Sequence, residues 1–138
     1  MQKSYTNRFE YFKNSFENLV KARDEDKSNV IILSGTIMIF NLTFDIAWKV
    51  LREVLKEEYG IVDFPSGSPK ETLKKAASVG IIDSEMWLDM LDERNDLTHN
   101  YDVDLANEVY EKIVNDYIPV FETFKNKISS FIDNASNK

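Results

Sequence analysis

From Val30 to Phe44 the chain carries no charged residue, and Ile31, Ile32, Leu33, Ile37, Met38, Ile39 and Phe40 crowd into that stretch. Ser34, Thr36, Asn41 and Thr43 interrupt it and Asp45 and Lys49 close it, so it falls short of the roughly 20 apolar residues of a membrane span. It reads as a buried helix. At helical spacing Ile37, Phe40, Phe44, Trp48, Leu51 and Leu55 form one stripe, and Ile39, Leu42, Ile46 and Val50 form another. A helix apolar on two faces belongs at the centre of a bundle or at an interface between copies.

The rest of the chain repeats the helical period. Tyr5, Phe9, Phe12, Phe16 and Leu19 predict a first helix over residues 3 to 24. Gly60 followed by Ile61 is a stop signal for the second helix, and Val62 to Gly67 form a loop. Ser68, Pro69 and Glu71 then predict a third helix with Ser at the N-cap, Pro at N1 and a closed capping box. It ends at Gly80-Ile81. Asp83 caps a fourth helix with Met86, Trp87, Met90, Leu91 and Leu97, which frays near His99-Asn100. A last helix carries Leu105, Val109, Ile113, Tyr117, Val120, Phe124, Ile128 and Phe131, bent at Pro119, whose ring removes a ladder donor. With 4 Gly, 3 Pro and no credible strand, the expectation is an all-α, five-helix up-and-down bundle. Its 138 residues suffice for one core. The domain is expected over 1–134, with a disordered tail at 135–138.

Charge and chemistry narrow the function. Lys and Arg number 17 against 24 Asp and Glu, a net charge of -7 that repels nucleic-acid backbones in general while leaving room for a local basic site. The chain has no Cys and one His, which removes disulfides, thiolate chemistry and multi-histidine metal sites within one protomer. Met1 to Tyr5 run into a charged amphipathic segment without a signal core, which predicts a cytoplasmic protein.

The single histidine stands in Glu93-Arg94-Asn95-Asp96-Leu97-Thr98-His99-Asn100-Tyr101-Asp102. Arg94 is a permanent cation that can grip a phosphate through two donors, the imidazole of His99 can give or take a proton, and Asn95 can orient either. That trio suits phosphodiester chemistry. On an ideal helix Arg94 and His99 differ by about 140° in azimuth, so the geometry needs a helix that ends by His99 or two copies facing across a two-fold axis. Asp89, Asp92, Glu93, Asp96, Asp102 and Asp104 read as a solvated acidic face, because Asp96-x-x-His99 lacks the second copy and the Glu partners of a di-iron bundle. Lys70, Lys74 and Lys75 read as ordinary solvated charge, and Trp48 and Trp87 as core or interface anchors.

Arg94-Asn95 with His99-Asn100-Tyr101 resembles the Arg-x4-His-x-Tyr motif of the HEPN superfamily, and specifically of HepT-like proteins, also described as nucleotidyltransferase substrate-binding proteins. Phe44-Asp45-Ile46-Ala47-Trp48-Lys49, Ser68-Pro69 with Gly80-Ile81-Ile82, and Trp87-Leu88-Asp89-Met90-Leu91 resemble other signatures of that family, so the similarity spans nearly the whole chain. The resemblance implies a homodimer that partners a small nucleotidyltransferase, often as toxin and antitoxin. It implies a metal-independent endoribonuclease in which His99 moves the proton, Arg94 stabilises charge on the phosphate and Asn95 supports them. It also implies transfer of AMP onto Tyr101 by the partner, which would bring the ATP and Mg²⁺ while this chain binds no cofactor. The alternative is a noncatalytic nucleotide- or substrate-binding subunit of a two-component nucleotidyltransferase.

Overall fold

A computed structural model describes residues 2–136. Helices α1 (Thr6–Ala22), α2 (Val30–Tyr59), α3 (Pro69–Ser78) and α4 (Ser84–His99) are followed by a fifth rod in three pieces. These are α5 (Val103–Lys112), a π-helical turn (Ile113–Tyr117) and α6 (Ile118–Ser136). The described residues contain no strand, and the five rods form the expected all-α bundle. The expected tail begins inside α6, and Asn137 and Lys138 lie outside the described residues.

Local chemistry explains most of the boundaries. Asn29 caps α2 by accepting from Ile31 N at 2.9 Å, and Gly60 ends it at φ 65, with Ile61 N–H reaching back to Leu55 O at 2.9 Å. Ser68 accepts from Glu71 N at 3.3 Å, as expected, but its own N–H donates to Pro65 O at 3.2 Å. The capping box is therefore half made, because the preceding turn already satisfies the donor that Glu71 would have served. The last turn of α1 tightens to i→i−3 bonds at Arg23, Asp24 and Glu25.

Ahead of Pro119 the rod takes a form that the sequence pattern did not specify. The turn Ile113–Tyr117 widens, and Ile118 N–H donates to Ile113 O, five residues back. A proline ring presses on the carbonyl four residues earlier and donates nothing, and a wider turn accommodates both demands without breaking the rod.

Aromatic rings join the rods. Phe12 on α1 lies 5.7 Å from Phe16 and meets Phe121 and Phe124 of α6 edge-on at 5.8 and 4.8 Å. Trp87 on α4 meets the same two rings at 5.7 and 5.3 Å and tilts against Phe44 of α2 at 6.2 Å. Buried polar contacts fix the register of the rods. Ser15 and Thr43 share a 2.6 Å hydroxyl pair between α1 and α2, and Tyr110 Oη donates to Ala22 O at 3.2 Å. Tyr5 Oη donates to Glu58 at 2.7 Å, and burial followed by that carboxylate raises the phenol pKa far above its ordinary value, keeping it a donor.

By length and composition α2 could cross a membrane. Its first stripe, Ile37, Phe40, Phe44, Trp48, Leu51 and Leu55, is buried against the other rods. The second stripe divides, with Val50 buried while Leu42 is exposed beside Ile31 and Met38.

Phe12 sits where α1 meets α6, so Phe12→Ala should cost about 3–5 kcal/mol of unfolding free energy, read as a lower urea midpoint at unchanged slope. A loss below about 1 kcal/mol would mean that the ring is not a keystone of the core.

Candidate functional site at the end of the fourth helix

The aromatic docking of Trp87 sets where the rest of α4 can reach. Arg94 lies two helical turns after Trp87 and therefore on the same side of the helix. Its Nη2 stands 2.9 Å from Asp45 Oδ1 of α2, and its Nη1 donates to Asn95 Oδ1 at 3.0 Å. Arg94 and Asn95 are thus held together as the sequence suggested, with Asp45 as a third member. Asp45 Oδ1 is enclosed and takes no hydrogen bond, so the facing guanidinium compensates its charge without an in-line N–H···O contact.

The helix persists through His99 and closes when Asn100 N–H donates to Asp96 O at 2.8 Å. Since the helical azimuth between Arg94 and His99 is retained, His99 points away from the Arg94–Asp45 pair. It is exposed and makes no hydrogen bond or ion pair among the described residues. One protomer therefore does not bring Arg94 and His99 onto one face.

Tyr101 occupies the corner between α4 and α5. Asp102 opens α5 by accepting from Leu105 N at 2.7 Å, so the corner is closed on both sides. The Tyr101 ring is 46% exposed, and its hydroxyl shares a 2.8 Å hydrogen bond with Ser34 Oγ of α2. Ser34 and Asp45 are eleven residues apart, about 16 Å along a helix axis, so Arg94 and Tyr101 attach to α2 at two separate points.

Between and beside those points runs the exposed apolar face of α2. Ile31 is 80%, Met38 72% and Leu42 54% exposed, and with Gly35 they share a stripe that includes Asp45. Gly35 has nothing within 4 Å of where its Cβ would stand. On the edge of that stripe Asn41 Oδ1 is enclosed without a hydrogen-bond partner.

The other sequence candidates fall into place around this site. Trp48 and Trp87 are core residues. Glu93 pairs with Lys112 at 2.5 Å, and Lys74 lies 4.0 Å from Glu71. Among the described residues no group of three or more His, Asp or Glu is placed to hold a metal ion. Ser34 and Asp45 were not singled out as site residues from the sequence. Asp45 had a visible signal, because it is the first charge after the uncharged run that follows Lys27. Ser34 had none, being one of several small polar residues in the same run.

Fold and site together define a helical bundle that carries Arg94-x4-His99-x-Tyr101 at one end. The chain belongs to the nucleotidyltransferase substrate binding protein like family, whose model matches residues 7–130. This is the HepT-like family that the motifs resemble. The crystal structure of a protein from Thermus thermophilus is similar, with a TM-score of 0.74 and 28% identity, covering 84% of this chain and 97% of that one. No curated protein matches.

Ser34→Ala should release the Tyr101 hydroxyl while changing global stability by less than about 1 kcal/mol, as expected for one exposed hydrogen bond. Hydrogen exchange should then speed up at residues 100–102 and remain unchanged in the α1–α6 core. Unaltered exchange at that corner would show that Ser34 does not anchor Tyr101.

Proposed function

We propose that this chain is the cytoplasmic partner of a small nucleotidyltransferase and acts as a metal-independent endoribonuclease toxin, silenced when the partner transfers AMP from ATP onto Tyr101. The observation that carries this reading is the junction of the Arg94–Tyr101 segment with an uncharged, unpartnered face of α2. A chain of net charge -7 repels its own copies. A face without charges is where two copies can meet at the least electrostatic cost, and Gly35 leaves room for a close approach of helices. A two-fold contact there brings two Arg94 and two His99 toward one cleft. That arrangement supplies what one protomer lacks, an arginine and a histidine facing the same phosphate.

In that cleft a ribose 2′-hydroxyl attacks the adjacent phosphorus and the bond to the 5′ oxygen breaks. One His99 takes the 2′ proton, the partner's His99 protonates the leaving oxygen, and Arg94 meets the charge on the phosphoryl oxygens. Asn95 steadies Arg94 through the 3.0 Å contact. AMP on the exposed Tyr101 hydroxyl adds a phosphate and bulk beside the same cleft and keeps RNA out.

The second reading, a noncatalytic subunit holding a nucleotide for the transferase, is favoured by one feature. In the isolated protomer Arg94 is already neutralised by Asp45, which weakens its pull on RNA.

His99→Ala should abolish RNA cleavage by purified protein and leave the fold intact, since His99 is exposed and unpaired. Cleavage that persists in pure mutant protein contradicts the role of His99. Intact-mass measurement after incubation with the transferase, ATP and Mg²⁺ should show added AMP on the wild type and none on Tyr101→Phe. No addition to the wild type within a stable complex would favour the noncatalytic subunit.

A further inference from the structure

Asp45 lies outside the Arg94–Tyr101 segment, yet it is the charged group most closely tied to that segment's one permanent cation. In α4 Arg94 is surrounded in sequence by Asp89, Asp92, Glu93 and Asp96, and no Lys or second Arg occurs in that helix. The pair is half-buried, at 28% and 33% side-chain exposure. Asn95 accepts from Nη1 and Asp45 faces Nη2, so an anion that approaches the Nη2 side of the guanidinium competes with Asp45 for it. The Asp45–Arg94 pair has no net charge, and an anion arriving at Arg94 meets a carboxylate already seated there.

We propose that Asp45 is a built-in counter-ion that occupies Arg94 in the empty site and is displaced when a phosphate group binds. The proposal deepens the reading above, and rests on it in taking phosphate as the ligand. Its consequence is selectivity by competition. A lone phosphate gains little from exchanging one carboxylate for another anion, whereas a phosphodiester in a strand held by additional contacts can carry the exchange. Asp45 is a positioning residue, since it acts through Arg94, and its effect is on affinity.

The test is a titration of full-length protein with inorganic phosphate and with 5′-AMP, followed through the backbone amide resonances of residues 93–102 by NMR. A half-exposed ion pair corresponds to about a fivefold change in equilibrium constant, so Asp45→Asn should bind both ligands about fivefold tighter than wild type. Asp45→Glu, which restores a carboxylate, should return the affinity toward wild type. Adding Arg94→Ala to Asp45→Asn should remove the gain, and chemical-shift dispersion reports that each variant is folded. Equal or weaker binding by folded Asp45→Asn, including no binding, overturns the proposal. So does a gain that survives Arg94→Ala. Because no cleavage is needed, the two readings fail separately. Tighter binding by Asp45→Asn with no RNA cleavage by wild type keeps the counter-ion and removes the nuclease. Cleavage by wild type without tighter binding does the reverse.

Discussion

The docking of Trp87 among Phe44, Phe121 and Phe124 is the contact on which the rest of the structure depends. It joins α4 to α2 and α6 in one cluster of rings, and offset or edge-on ring contacts fix orientation as well as distance. With Trp87 held, the helical period alone carries Arg94 to the same side of α4, opposite Asp45. The position of Arg94 is thus set two turns away, in the core.

The second constraint is the divided character of α2. Its inner stripe is committed to the core, and its outer stripe through Ile31, Met38 and Leu42 is left to solvent beside both Asp45 and Ser34. The polar corner and the apolar face are therefore parts of one surface. This is why the proposed function requires a second copy: the helix keeps Arg94 and His99 apart within a protomer, while the uncharged face offers the means to bring them together between protomers.

Much of this was legible in the residues. Gly60, Ser68, Gly80 and Asp83 mark helix ends by local chemistry, and local chemistry is what a sequence displays directly. The charge-free run gave α2 its two faces. What could not be read were contacts decided by packing. The half-made capping box at Ser68 depends on a turn from Pro65, and the widened turn Ile113–Tyr117 is one of several ways to accommodate Pro119. Arg94, Asn95, His99 and Tyr101 stood out as a motif, but their separation in space depends on α4 remaining helical through His99 and on which α2 residues Arg94 and Tyr101 meet. Asp45 and Ser34 entered the site only through that packing.

The central claim is that the outer face of α2 joins two copies and so completes the site. The most direct measurement is the solution mass of the wild-type protein by light scattering at micromolar concentration, with Met38→Asp alongside it. The expected result is twice the chain mass of 16.1 kDa for the wild type and the single chain mass for the variant. A wild type at 16.1 kDa, or a Met38→Asp protein that remains double, would contradict it.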